Sequence, residues 1–465
     1  MTKTYDICVA GGGPAGITTA VQLHRMGFKV LLITAPNRPN HPDAQSVSPG
    51  VLTLVETLEL DYEQIRKTLI PIHHMRRLWT GFDEEKTQPS GFLVNRTFFD
   101  DALLGAAMQL GVQVQQPAKL MSCQFINDCW ELNILDRGKY RRISTQFLVD
   151  AMGKKTVLRG VKKRVATQTI AIMGVWKNTP YPVSYSQLES APAHWSWGAK
   201  LADELFHATV FIDPSAISGK SLLTKQYIDA LEKTTLFRDC LRGSLAGDPC
   251  ACDITPYYYE NVAGSHFIRV GEAGTGFDPQ SSQGLQNAMA NGIQGAIVVN
   301  TLLSHPSRLK IALDFYTSRQ EESVLNHLVM ASESYASAAR WNDRPFWLDR
   351  IPAKSNSIKY MRPDRALWHS KTMIQIAPEV EWKSVPCIEG NLVTSKMAIV
   401  LPDLNRPMVY WNNLEIEHVV QAFRKNMTVS DILQSWSGIM SQANAERLLS
   451  ALKRTGVLVA TQDQV

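Results

Sequence analysis

The sequence predicts an α/β protein. It reads as a Rossmann-type domain, a β-sheet domain interleaved with it along the chain, and a small C-terminal winged-helix-like module. Three stretches carry that expectation. Residues 5–30, YDICVAGGGPAGITTAVQLHRMGFKV, read as a buried strand, a glycine turn, a helix and the entry to a second strand. Residues 265–303 repeat the plan with a longer turn. SHFIRV is a strand, GEAGTGFDPQSSQG a polar glycine-rich loop, and LQNAMANGIQGAIVVNTLL a helix. Beyond about residue 375 the text changes to short alternating strands, then three helical stretches and a last strand. The expected boundaries are 1–160 and 265–345 for the nucleotide-binding domain, with parts of 45–120 facing substrate. Residues 161–264 form the substrate domain, 346–375 a linker and 376–465 the module.

The 465 residues, 45% hydrophobic and 20% charged, are enough for two or three domains with a large core. A formal net charge of +5, from 48 basic and 43 acidic residues, reads as too small and too scattered for a nucleic-acid partner. No run approaches the roughly 18 apolar residues of a membrane span. MTKTYDICVA enters a strand at once, without the pattern of a secretory signal. Of seven cysteines, only Cys250 and Cys252 in PCACD are close. No further soft ligands at matched spacing accompany them, so no metal site is expected. The expectation is a cytoplasmic protein with reduced thiols.

The first glycine turn has a specific physical reading. Gly11 allows the tight turn, Gly13 lets the backbone approach a pyrophosphate, and Gly16 lets the helix pack on the sheet. Pro14 and Ala15 open the helix, whose N-terminus offers unpaired N–H groups and positive dipole to phosphates. The acid that usually closes the second strand and holds ribose hydroxyls is missing. The strand ends LLITAPNRPN, and no acid follows before Asp43. Thr34 stands near that place. A neutral hydroxyl is a weaker partner than a carboxylate, so weaker dinucleotide binding is expected. In the later loop, Glu272 is a candidate for ribityl or ribose hydroxyls. Gly271, Gly274 and Gly276 permit close backbone approach, Pro279 fixes the turn, and Gly284 opens a helix toward an anionic group. Asp278 and Gln283 complete the candidates in this loop.

In that order, GGGPAG, LVDAMGKKT and GEAGTGFDPQSSQG resemble the three fingerprints of FAD-dependent monooxygenases built on a single FAD domain. The resemblance runs from residue 6 to about residue 300. It implies FAD as resident cofactor, with loop 271–284 against the flavin and Glu272 where the family usually has Asp. It also implies a place near the flavin phosphates for Arg96, which opens the helix in LVNRTFFDDALLGAAMQLGV. FDPQSSQG is similar to the branch of flavin-dependent tryptophan halogenases and their hydroxylating cousins. Gln45 and Ser46 in AQSVSPGVLTLVETLEL stand at a Glu-Ser pair of those cousins, which puts Ser46 among the cofactor contacts. YASAARWNDRPFW resembles a further segment of the cousins, among them flavoproteins that hydroxylate a tryptophan of a partner protein to build cysteine tryptophylquinone.

The reaction so implied is oxygen-dependent hydroxylation of an electron-rich ring, with the flavin supplying the difficult chemistry. The partners implied are a precursor protein or peptide carrying the tryptophan, O₂, and a separate flavin reductase, since the chain shows no nicotinamide domain. No general base is identified. Two alternatives are a halogenase of tryptophan or a phenol, and a small-molecule aromatic hydroxylase. Halogenases carry W-x-W-x-I-P. HWSWGAKL keeps Trp195 and Trp197, but Ala199 and Lys200 replace Ile and Pro, and Lys86 matches the halogenase lysine poorly. Alternating Trp195 and Trp197 equally fit one face of a strand, as core or cavity wall.

Other stretches read less specifically. HHMRRLW, with His73, His74, Arg76 and Arg77, reads as a half-exposed strand or helix start. Tyr257, Tyr258 and Tyr259 suit an aromatic wall or ordinary core. In the tail, Thr428 or Ser430 caps the second helix and Gly456 ends the third. The tail resembles modules that recognise peptides; its other reading is a cap over the substrate site.

Overall fold

The computed structural model describes residues 4–36, 44–87, 91–201, 205–217, 219–351, 368–402, 404, 406–421, 423 and 427–461. Asp43 lies outside them. The chain forms two compact units, Met1–Pro352 and Ala353–Val465.

The first unit is built on the strand–turn–helix–strand β1 (Thr4–Ala10), α1 (Pro14–Arg25) and β2 (Val30–Ile33). Ile7, Cys8 and Val9 are wholly buried, as a central parallel strand demands. Further along the chain, the helix α2 (Arg96–Gln109) leads to Gln113–Gln115, which pairs parallel with β2. β3 (Lys139–Asp150) pairs parallel with β1 and with Phe267–Arg269. The parallel core therefore runs Phe267–Arg269, β3, β1, β2, Gln113–Gln115, and a hairpin of Ala118–Ile126 and Cys129–Asp136 joins antiparallel through β3. This register sets Ala10 beside Asp150 and Asp150 beside Arg269. Three loops thus leave the carboxyl ends of neighbouring strands together, where open α/β sheets bind ligands.

Two long helices follow, α3 (Gly284–Ser304) and α4 (Leu309–Ala336). α3 packs on α1 with almost no side chain between them. Thr18 and Thr19 donate hydroxyl hydrogen bonds to the carbonyls of Met289 and Gly292, at 3.3 and 3.1 Å. A Cβ on Gly292 would stand 2.5 Å from the Ala15 carbonyl oxygen and 2.1 Å from the Thr18 hydroxyl.

A second, mostly antiparallel sheet takes its strands from 170–253 together with the hairpin His74–Leu78 and Asp83–Lys86. HHMRRLW therefore supplies a strand, and Arg76 pairs with Asp83 at 2.6 Å across the hairpin. One face buries Trp79, Trp195, Phe211, Tyr335, Phe346 and Trp347 in a single aromatic cluster. Trp195 stacks on Phe211 with ring centroids 3.6 Å apart, and Trp197 packs against the same cluster. The stretch expected to begin a linker at 346 is instead part of this core. Arg350 is buried, donating to Asp213 at 2.7 Å and to the Thr169 hydroxyl.

The second unit holds the three-stranded sheet Met427–Thr428, Met373–Ile376, Leu458–Ala460 and the separate hairpin Glu381–Glu389 with Leu392–Val400. The hairpin turns at Gly390, φ +56°, and the chain reverses again across PDLNRP, where Ile399 and Met408 pair antiparallel. The three expected helices are present, but the first is cut to Ile416–Val420. Thr428 rather than Ser430 caps the second, in a reciprocal bond with Asp431. Gly456, φ +72°, follows the third. Among the described residues, no helix is long and apolar enough to cross a membrane.

Gly292→Ala tests the close approach of α1 and α3. The added methyl meets backbone at 2.5 Å, so a loss of about 1–3 kcal/mol in unfolding free energy is expected by denaturant titration.

Candidate functional site

The three loops at the carboxyl ends of the parallel strands form one crevice. Gly11, φ +117°, turns the chain so tightly that a Cβ there would lie 2.2 Å from the Ala151 carbonyl oxygen. A Cβ on Gly16 would lie 1.9 Å from the Gly11 carbonyl oxygen. Those two glycines are required by the protein's own packing. Gly13 is different: a Cβ there would meet nothing within 4 Å. Gly13 also precedes α1 without any side-chain cap, Pro14 occupies the first turn, and no acid lies in that turn. The first N–H groups of a buried helix thus face open space.

The same arrangement recurs at α3. Gln283 precedes it, no side chain caps it, no acid lies in its first turn, and Gly284 faces open space. Side-chain caps are present at Asp61, Asn95 and Thr428, each accepting from a first-turn N–H. Gly50–Thr57, Leu223–Glu232, Leu309–Ala336 and Gln442–Arg454 also begin without one, so what sets α1 and α3 apart is the glycine with open space at each start. Two uncapped N-termini beside glycines with room in front suit an anionic ligand with two separated halves.

Loop 271–284 reads in sequence as floppy, but most of its first half is buried and bonded. Gly271, φ +59°, donates its N–H to the Asn291 side chain at 2.6 Å. Asn291 in turn donates to the Tyr316 hydroxyl at 3.1 Å and to Gln320 at 2.9 Å, and the Tyr316 hydroxyl donates to the Arg269 carbonyl at 2.7 Å. A Cβ on Gly271 would lie 2.7 Å from the Ala15 methyl, so this loop and the first turn touch. Glu272 is exposed, with a carboxylate oxygen 3.8 Å from where a Gly153 Cβ would stand. Pro279 is exposed in a short turn.

Asp278 is buried. It accepts from the Gln280 N–H at 3.0 Å and from the Tyr335 hydroxyl at 3.0 Å, so it staples the loop to α4. Burial pushes its carboxyl above the usual carboxylate range, against the pull of those two bonds. The Gln283 side chain contacts His327 Nε2 at 3.1 Å, and His327 Nδ1 lies 2.7 Å from the Ser323 carbonyl oxygen.

The second fingerprint supplies a buried ion pair. Arg269 and Asp150 are both wholly buried, 4.0 Å apart. Arg269 donates to the Thr156 hydroxyl at 2.6 Å and to the carbonyls of Leu158, Arg159 and Asn261. Asp150 accepts from Thr156 and from the Met152 N–H. Burial raises the carboxyl of Asp150 despite these partners.

Arg96, at the start of α2, is half-buried and grips Asp100 with two hydrogen bonds, 3.0 and 2.8 Å. Ser46 is half-buried on the strand Ala44–Val47, opposite Leu93, and its neighbour Ser48 donates to Gln286 of α3. Thr34 departs from expectation. It is buried with its hydroxyl donating to the Ala35 carbonyl, and it fills the space a Cβ on Gly12 would need. It braces the turn from behind.

Comparison with known proteins supplies the cofactor. Residues 4–196 match the FAD binding domain family. The chain is similar to a tryptophan 2-halogenase of Chondromyces crocatus, 26% identical over 75% of this chain and 70% of the other. In fold it is similar to QhpG, at TM-score 0.77 and 24% identity, covering 98% of this chain and 100% of that one. It is also similar to CmlS, a flavin-dependent halogenase, at TM-score 0.81 and 16% identity over 100% and 97%. The protein is a flavin-dependent oxidoreductase. FAD is its cofactor.

The crevice of this flavoenzyme fits FAD in its donors, with open helix N-termini for phosphate and unfilled glycine faces for close approach. Sequence reasoning missed Asn291, Tyr316, Gln320, Tyr335 and Arg269, which hold the loops from behind. Their one visible signal is that each is a polar residue inside an otherwise core-like stretch.

Two substitutions separate ligand space from packing. Gly13→Ala should leave the unfolding free energy of the apoprotein within about 0.5 kcal/mol of wild type while the flavin absorbance of the purified protein falls. Gly16→Ala should lower both. A second test concerns pH. A carboxyl raised by folding binds its proton more tightly in the native state, so its contribution is present below about pH 4, the unfolded value. That contribution is lost as pH rises through the native value. Asp278→Asn should therefore make the fall of unfolding free energy above about pH 4 shallower, by up to ~1.4 kcal/mol per pH unit. Asp150 shares the sign, so some slope remains.

Proposed function

We propose that the enzyme hydroxylates the indole ring of a tryptophan carried by a partner protein, in the biogenesis of a tryptophylquinone cofactor. The observation that carries this reading is the likeness in fold, over nearly the whole of both chains, to QhpG. That protein is a peptidyl tryptophan dihydroxylase essential for tryptophylquinone cofactor biogenesis. Two features of this chain favour hydroxylation over halogenation. Ala199 and Lys200 stand where the halogenase motif has Ile and Pro, and the motif's Trp195 is packed into core against Phe211. Lys86 is exposed on the strand Asp83–Lys86, unlike a halogenase lysine enclosed in a tunnel.

Bound FAD, when reduced, supplies the oxygen-activating chemistry. The chain's own residues bind, orient and shield. Gly11, Gly13, Pro14, Ala15 and Gly16 hold the pyrophosphate at the open end of α1. Arg96, gripped by Asp100, and Ser46 would border the cofactor. Gly271, Glu272, Pro279, Gln283 and Gly284 would hold its flavin half. The first-turn N–H groups of α3 stabilise negative charge that develops there. Asp278 acts through the loop it staples. A separate reductase provides reducing equivalents, O₂ is the co-substrate, and the C-terminal unit captures the precursor protein.

Incubation of the enzyme with reduced flavin, oxygen and a tryptophan-bearing precursor should add the mass of one or two oxygens to that tryptophan, read by mass spectrometry. A brominated product in the presence of bromide would overturn the reading in favour of a halogenase. Turnover of free indoles or phenols alone would favour a small-molecule hydroxylase.

A further inference from the structure

The excess positive charge is not scattered, contrary to the first reading of the sequence. Six of the 48 basic residues are Lys154, Lys155, Arg159, Lys162, Lys163 and Arg164, with no acid among them, which leaves 42 basic against 43 acidic residues elsewhere. All six are exposed. Lys163 pairs with Glu260 at 2.6 Å and Arg164 with Asp253 at 3.4 Å. Lys154 donates to the Asp253 carbonyl at 2.6 Å, and the Lys162 ammonium lies 3.6 Å over the ring of Tyr257. Lys155 and Arg159 form no ion pair among the described residues.

The strip is held rigidly from beneath. Buried Arg269 donates to the Leu158 and Arg159 carbonyls at 3.0 and 2.9 Å, and Asn261 donates to the Arg159 carbonyl at 3.1 Å. A Cβ on Gly160 would lie 2.2 Å from the Asn261 side-chain oxygen. A backbone already fixed presents its cations with little further ordering cost. Lys162–Arg164 is also the outer strand of a three-stranded sheet, paired among the described residues only on its inner side, with Tyr257–Tyr259. An open strand edge can accept an added strand. Lysines on such an edge repel most strands, but they attract one that carries carboxylates.

We propose that residues 154–164 dock an acidic, extended segment of a protein partner. The strip adjoins the flavin crevice: the Tyr257 hydroxyl under Lys162 donates to the Glu272 carbonyl at 2.5 Å. A docked segment therefore lies beside loop 271–284, and the inference rests on the reading that a protein carries the substrate. Nucleic acid fits less well. Glu260 on Lys163, Glu321 on the Tyr258 hydroxyl, and exposed Glu272 border the strip and would oppose a long phosphate backbone.

The test is fluorescence anisotropy of the FAD-loaded protein with a labelled poly(Glu-Ser) peptide. Wild type should bind it, with affinity falling as salt is added. Lys155→Glu with Arg159→Glu should weaken binding roughly tenfold or more while the spectrum of the bound flavin stays unchanged. Lys155→Arg with Arg159→Lys should retain it. Absence of binding to wild type, or unchanged affinity in the charge-reversed protein, overturns the proposal. So does displacement of the peptide by a single-stranded oligonucleotide of matched charge at lower concentration. Charge-dependent peptide binding without hydroxylation of any protein tryptophan supports the docking surface and removes the substrate reading instead.

Discussion

The buried guanidinium of Arg269 is the interaction on which the rest of the crevice depends. It faces Asp150 with both side chains removed from water, and its remaining donors are taken by Thr156 and three backbone carbonyls. An ion pair so buried is a weak source of net stability, yet breaking one costs about 3–5 kcal/mol because a charge is left stranded. Its value here is positional. It ties the second fingerprint to the strand that feeds the third, and it fixes the backbone under the basic strip. The Tyr316 hydroxyl continues the chain from the Arg269 carbonyl to Asn291, which holds the Gly271 N–H. One connected set of buried hydrogen bonds therefore sets the position of loop 271–284.

Against that satisfied interior, α1 and α3 are left uncapped at the crevice. A capping side chain is typically worth about 1 kcal/mol, and the chain uses such caps at Asp61, Asn95 and Thr428. Their absence at the two helices facing open space, together with a lack of acids in those first turns, leaves N–H groups oriented and unpaired. Other helices, such as Gly50–Thr57 and Leu223–Glu232, are uncapped as well, so the feature that suits a phosphate or other anion is the open space at Gly13 and Gly284 in front of these two N-termini.

The aromatic cluster around Trp79, Trp195 and Trp347 shows how one motif changes meaning with context. Trp195 and Trp197 look like a remnant of a halogenase signature in sequence. In the fold, Trp195 is a core residue stacked on Phe211, in a strand of the second sheet.

By itself the sequence determined the Rossmann-type βαβ entry, the cofactor class, the start of α3 at Gly284 and the three helices of the tail. These depend on local signals: glycine spacing, hydrophobic period and capping residues. It left Thr428 and Ser430 as two candidate caps, and it gave the tight turn to Gly11, close backbone approach to Gly13 and helix packing to Gly16. Tertiary structure alone decided which backbone atoms close on Gly11 and Gly16, that Thr34 braces the turn, and that Asp278 is a staple. It also decided that Phe346, Trp347 and Arg350 are core and that Lys162–Arg164 forms the outer strand of a sheet. Each of these depends on which distant backbone or side chain arrives opposite a residue, such as Ala151 against Gly11 or Tyr335 against Asp278. That is set by sheet register and helix packing rather than by any local pattern.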